Sequence, residues 1–153
     1  MVHIAYSHYY LHIILVPAVN SPLETGEIRD EMHTRISEIL KRNRSKPYAV
    51  GGTRDHVHIA CTGVLRLSLN DLIDRIKSGS EAYINDSEMM DDFRWQKGYF
   101  AVSQGKSDMK NLIKYIRNQM EYHKNISFKQ ELIRLLDENA IEYDSGDLFD
   151  FHS

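Results

Sequence analysis

The segment Asp55-His56-Val57-His58-Ile59-Ala60 alternates polar and apolar side chains in the manner of a strand. His56 and His58 then project from one face, while Val57 and Ile59 project from the other. Twice the strand rise separates their Cα atoms by about 7 Å, so both imidazoles can converge on one divalent cation. Two ligands do not complete a site, and the rest must come from elsewhere in the chain. Tyr115 and Gln119 are four residues apart, one turn along one face of a helix. The Gln119 carboxamide offers an oxygen of the kind that suits Mg²⁺ or Mn²⁺ better than zinc. The Tyr115 phenol offers an oxygen able to form a covalent bond to a substrate. Its ordinary pKa is about 10, and no partner base for it is evident in the sequence. His123, four residues beyond Gln119, lies on the same helix face. Tyr122 reads as structural, and His8 and His12 read as packing or surface residues. Each of these features has an ordinary alternative: a lone His-x-His, a half-buried aromatic, a solvated lysine stripe.

The basic residues cluster in three places. Lys41, Arg42, Arg44 and Lys46 crowd the end of one predicted helix, Lys77 sits in a second, and Lys106, Lys110, Lys114 and Arg117 stripe the tyrosine helix. They are candidates for tracking a phosphate backbone, although a favourable dipole at a helix C-terminus also explains the first cluster. The net charge of −3 hides an asymmetry, because seven acids face the single base Arg134 after residue 130. The preceding 130 residues are mildly basic.

Those residues must be positioned by a fold, and the hydrophobic patterning predicts one. Tyr9–Val16 reads as a strand ending at Pro17. Ile28, Met32, Ile36, Ile39 and Leu40 trace an amphipathic helix over about 24–44. Two strands follow, with Gly51-Gly52 as a bend or bulge between them and the second covering 55–62. Ser68 caps a helix through Ile84, and 98–103 reads as a further strand. One helix is expected over 107–124 and another over 127–139. The order strand, helix, strand, strand, helix, strand is the ferredoxin-like βαββαβ pattern. An α+β fold is expected, its antiparallel sheet covered by helices on one face, with two more helices at the C-terminal end.

With 153 residues, 42% hydrophobic and 27% charged, the chain suits one globular domain (1–153) whose acidic tail occupies 140–153. Its only cysteine, Cys61, excludes an intrachain disulfide and a cysteine-only zinc site. Neither a bilayer-spanning apolar run nor a secretory start is found, so the expectation is a cytoplasmic protein without a membrane partner.

His-hydrophobe-His on a strand, followed by Tyr115-Ile116-Arg117-Asn118-Gln119 on a helix, resembles the single-tyrosine HUH transposases of the insertion-sequence-two-hundred-like group. The likeness extends to Lys77-Ser78-Gly79-Ser80, to Trp95-Gln96-Lys97-Gly98-Tyr99-Phe100-Ala101-Val102-Ser103, and to the C-terminal segment from Phe128 to Tyr143. It implies a ferredoxin-like fold and makes His56, His58 and Gln119 ligands of a divalent metal, Mg²⁺ or Mn²⁺. Tyr115 would be the nucleophile, cleaving and rejoining single-stranded DNA at hairpin-containing element ends through a 5′-phosphotyrosine. It further implies a homodimer, with assembly of the site within one subunit or between two left open. The segment 16–20 departs from the family by carrying no positive charge. Other readings are a domesticated repeat-associated tyrosine transposase acting on chromosomal palindromes, a non-catalytic DNA-binding module of the same fold, and a metal-dependent hydrolase using water.

Overall fold

A computed structural model describes residues 6–152. Strand β1 (Tyr10–Leu15) leads to helix α1 (Gly26–Arg42), then β2 (Pro47–Thr53), β3 (His56–Thr62), α2 (Leu69–Asp86) and β4 (Phe100–Gln104). The strands form one antiparallel sheet in the order β2-β3-β1-β4, the ferredoxin-like arrangement expected from the element order. Three shorter helices follow: α3 (Met109–Arg117), α4 (Gln119–Tyr122) and α5 (Phe128–Glu138).

Strand alternation assigns the two faces of the sheet. Leu11, Ile13, Leu15, Val57, Ile59 and Cys61 pack against α1 and α2, where Met32, Ile36, Leu72 and Ile76 are fully or almost fully buried. Thr25 caps α1 by accepting from the Ile28 amide, and Ser68 caps α2 by accepting from that of Asp71. The two helices lie close: a Cβ on Gly79 would stand 2.8 Å from Ile39 Cδ1. From α2, Lys77 Nζ donates to the Gln96 and Gly98 carbonyls, and Ser80 Oγ accepts from the Trp95 indole. These bonds fix the approach to β4.

The opposite face, bearing His12, Ile14, His56, His58 and Ala60, is covered by the C-terminal helices. Met109, Leu112 and Ile116 of α3 pack on Ala60, while Phe128, Leu132, Leu135 and Leu136 of α5 pack with Ile14 and Phe100. The sheet is therefore sandwiched, with α3–α5 forming the roof over the histidine face.

Two expectations need correction. Gly51 and Gly52 belong to β2, and the register irregularity falls between Pro47 and Ala49 instead. The glycines are needed for clearance: a Cβ on Gly51 would stand 2.8 Å from the Ile116 carbonyl oxygen, and one on Gly52 would run into that of His56. The helix expected over 107–124 is broken at Asn118, which caps α3 with its amide shared between the Lys114 and Tyr115 carbonyls. The tail has only a 3-10 turn of regular structure (Ser145–Asp147) yet is docked. Ile141, Leu148, Phe149 and Phe151 pack on the α5 cluster, and Gln96 pairs with the Asp150 backbone.

Candidate active site

β3 delivers His56 and His58 to the roofed face, where both are fully buried. Each ring is held from behind. His56 Nδ1 lies 2.7 Å from Asp55 Oδ1 and 3.1 Å from Thr53 Oγ1, and Thr53 donates to the same Asp55 oxygen. His58 Nδ1 lies 2.8 Å from His12 Nε2, because β1 pairs antiparallel with β3 so that Ile14 opposes His58 and His12 opposes Ala60. With both Nδ1 atoms engaged, both Nε2 atoms are left facing the roof, the outer-partner arrangement that orients imidazoles as metal ligands.

They face Glu131. Its Oε1 lies 3.2 Å from His56 Nε2 and 3.1 Å from His58 Nε2, and this carboxylate on α5 is wholly buried. His123 brings a third imidazole, its Nε2 3.1 Å from the same oxygen and its Nδ1 2.6 Å from the Ile126 carbonyl. Gln119 Oε1 lies 2.8 Å from His56 Nε2, and its Nε2 donates to Glu131 Oε2 at 3.0 Å. The Tyr115 hydroxyl donates to Glu131 Oε2 as well. One oxygen of the carboxylate thus faces the imidazoles and the other faces the phenol.

The electrostatics follow from burial and these bonds. Burial would raise the Glu131 carboxyl, but hydrogen bonds from His123, His56 and His58 hold it far below the carboxylate range. Burial lowers His56, yet its bonds to Asp55 and Glu131 prevail and raise it to about 9. Burial lowers His58 to about 4 in spite of Glu131, and burial plus the neighbouring His58 lowers His12 to about 3. The Tyr115 phenol is pushed up by burial and then by Glu131, with Arg134 acting in the opposite sense.

His56, His58 and Glu131 offer ligand atoms within 4.8 Å of one another. Two back-supported imidazole nitrogens converging on a buried anion fit a divalent cation, which would compensate the charge that the cluster concentrates there. Gln119 Oε1 borders the same space.

All four predicted centre residues therefore meet within one chain. Sequence reasoning missed Glu131, taken there as one of the acids of the C-terminal segment. It stands within the apolar stripe Phe128, Leu132, Leu135, three residues after the first and four before the last, and an acid in a buried stripe is the signal that could have revealed it. His12, read as packing or surface, is an outer partner of His58.

Of the predicted DNA contacts, Arg42 and Arg44 line a cleft of about 500 Å³ together with Arg66 and Arg75, with no acid among its described lining residues. It opens at the Thr62 end of β3, about 20 Å by strand rise from His56. Lys41 is exposed nearby on α1, and Lys106, Lys110, Lys114 and Arg117 are exposed along α3 and the turn before it. Lys77 is half-buried with its amine on two carbonyls, as described above.

Fold and site together define a ferredoxin-like domain built around a His-His-Glu group with a tyrosine hydroxyl against it. The family described as "Transposase IS200 like" matches residues 5–119, and the chain belongs to that family of DNA transposases. The match ends at Gln119, so Glu131 and Arg134 lie beyond it. Solved structures share the fold, among them two transposases. One is a candidate transposase from Deinococcus radiodurans R1, 16% identical with a TM-score of 0.60 over 78% of this chain and 97% of that one. The other is a REP-associated tyrosine transposase bound to a REP hairpin, 14% identical with a TM-score of 0.56 over 99% of this chain and 95% of that one. No curated protein matches the chain. No helix among the described residues is long and apolar enough to cross a membrane.

Proposed function

We propose that this transposase cleaves and rejoins single-stranded DNA at hairpin-containing ends through a 5′-phosphotyrosine on Tyr115. The observation that carries the reading is the shared carboxylate: the Tyr115 hydroxyl donates to Glu131, whose other oxygen faces His56 and His58. His56 and His58, with oxygens from Glu131 and Gln119, would hold the metal. Mn²⁺ suits the mixed nitrogen and oxygen set at least as well as Mg²⁺. When bound there, the cation would supply polarisation of the scissile phosphate.

The chain's own residues supply the rest. Glu131 Oε2, too weak a base to keep a proton, orients the phenol, whose proton is released as Tyr115 Oη bonds to phosphorus. The P–O3′ bond breaks, and the 3′ oxygen leaves as a hydroxyl, taking up one proton. One phosphoester replaces another, so an incoming 3′-hydroxyl can reverse the link without an external energy source. Asp55, Thr53 and His12 keep the two ligand rings in place. The arginine cleft of Arg42, Arg44, Arg66 and Arg75 suits a phosphate backbone, and the hairpin-bound relative makes a DNA hairpin its expected occupant. A cytoplasmic setting fits such a substrate. A homodimer, as the resemblance implies, would carry two centres, each complete within one chain.

A domesticated, repeat-associated role draws on the likeness to the REP-associated transposase over 99% of the chain. The presence or absence of flanking element ends in the genome separates the two roles. In the decisive experiment, the protein is incubated with labelled single-stranded element ends and Mg²⁺ or Mn²⁺. A labelled, denaturant-resistant protein band is expected, and DNA cleaved without such a band would favour water as nucleophile.

A further inference from the structure

Tyr115 has a second polar neighbour on α5. One turn beyond Glu131, Arg134 donates from a terminal guanidinium nitrogen to the Tyr115 hydroxyl oxygen at 3.1 Å. The other terminal nitrogen donates to both carboxylate oxygens of Glu138 at 3.0 Å, which fixes the guanidinium plane. The guanidinium carbon also stands 5.8 Å from the Tyr115 ring centroid and 5.9 Å from that of Tyr122. The phenol oxygen is thus held between a hydrogen-bond acceptor and a permanent cation borne by a single helix.

Tyr115, Arg134 and Glu138 open onto a cleft of about 400 Å³ between α3 and α5, lined also by His12, Asp108 and Asn111 among others. Among its described lining residues, Arg134 is the one permanent cation. Lys106, Lys110 and Lys114 do not line it.

We infer that Arg134 is a further catalytic residue, which stabilises the charge on the Tyr115 oxygen during attack and then holds the phosphoryl group of the tyrosine–DNA link. The inference rests on Tyr115 being the nucleophile. As the phenol gives up its proton, negative charge gathers on Oη, where the guanidinium already donates. Once the Oη–P bond has formed and the P–O3′ bond has broken, a non-bridging oxygen of the phosphodiester comes within the reach of the same planar donor. A fork of N–H donors suits that role better than an ammonium. An ion pair serving only to tie Arg134 to Glu138 along the helix would not need the contact to Tyr115.

The test measures the rate of covalent adduct formation on a labelled single-stranded oligonucleotide with Mn²⁺, for the wild type, Arg134→Ala and Arg134→Lys. Removing one preorganised donor from a developing oxyanion costs about 100-fold or more. Arg134→Ala should lose about that much, and Arg134→Lys should recover only part of it. A second measurement needs no turnover. In a Tyr115→Phe background, binding of a 5′-phosphorylated oligonucleotide is compared with that of its 5′-hydroxyl counterpart. The preference for the 5′-phosphate should fall about tenfold when Arg134→Ala is added. Adduct in the wild type at a rate that Arg134→Ala leaves intact, or an undiminished 5′-phosphate preference, would overturn the inference. No adduct in the wild type at all would instead count against Tyr115 as nucleophile.

Discussion

Tyr115 and Glu131, sixteen residues apart on α3 and α5, share a hydrogen bond in which the phenol donates to Oε2 of a fully buried carboxylate. That contact couples the proposed nucleophile to the candidate metal ligands, because Oε1 of the same side chain faces His56, His58 and His123. In the proposed mechanism the carboxylate serves both functions at once, so its removal should affect both.

Glu131→Gln keeps the shape and loses the charge. Calorimetric titration with Mn²⁺ should show affinity reduced by about 10- to 100-fold or more, and adduct formation should fall with it. Glu131→Ala should also lower stability by about 3 kcal/mol, since it leaves a charged buried histidine without its partner. Unchanged Mn²⁺ affinity in Glu131→Gln would remove the residue from the metal group.

His12 acts through His58. His12→Phe retains an aromatic ring on the sheet but gives up the bond to His58 Nδ1. Mn²⁺ affinity should weaken by about tenfold or more, while the circular dichroism spectrum is maintained. Equal affinity in the variant would make His12 a packing residue only.

The metal-free protein should be most stable near pH 6.5 to 7. His12, His33 and His58 are held by burial at about 3, about 4 and about 4, below the usual 6.5. On acidification the unfolded chain takes up protons that the fold refuses, so stability falls as pH drops below about 6.5, by up to about 1.4 kcal/mol per pH unit for each histidine. His56 runs the other way. Raised to about 9, it contributes stability below 6.5 that is lost as pH rises through about 9. Thermal unfolding of chelator-treated protein across this range should trace a maximum with a steeper acid limb, and a flat profile would contradict the charge assignments.

Much of this arrangement is legible in the sequence, and the part that is not has physical reasons. The six core elements follow from hydrophobic periodicity because each has one buried face, as with Met32 and Ile36 on α1. The His56 and His58 pair follows from strand alternation. Tyr115 and Gln119 were paired by helical spacing, and they do meet at Glu131 although Asn118 ends the helix between them. The break was not legible because Asn is tolerated within helices as well as at their ends, and here tertiary contacts decide. Glu131 escaped because most of its partners come from other elements, His56 and His58 on β3, Tyr115 on α3 and Gln119 on α4, each twelve or more residues away in sequence. The glycines at 51 and 52 signalled a turn locally, whereas the structure uses Gly51 for clearance under α3 and Gly52 for clearance beside His56 of β3.

Gly51→Ala tests that clearance. Its methyl would stand 2.8 Å from the Ile116 carbonyl oxygen, one residue from Tyr115, so α3 must shift. A loss of about 1 to 3 kcal/mol in stability is expected, together with slower adduct formation. Wild-type values for both would show that α3 has room to spare.

The arginine cleft should govern DNA affinity independently of chemistry. Arg66→Gln and Arg75→Gln should each weaken hairpin binding and reduce the slope of log affinity against log salt by about one. The rate at saturating DNA should change little. A salt slope identical to that of the wild type in both variants would place the hairpin elsewhere.

The central claim is that the Tyr115 oxygen becomes bonded to DNA, and locating the modified residue tests it most directly. Protein reacted with single-stranded element ends and Mn²⁺ is trimmed with nuclease, digested with trypsin and sequenced by tandem mass spectrometry. The account predicts a phosphonucleotide on Tyr115, absent from the Tyr115→Phe variant. The same modification on Tyr122, or its survival in Tyr115→Phe, would contradict it.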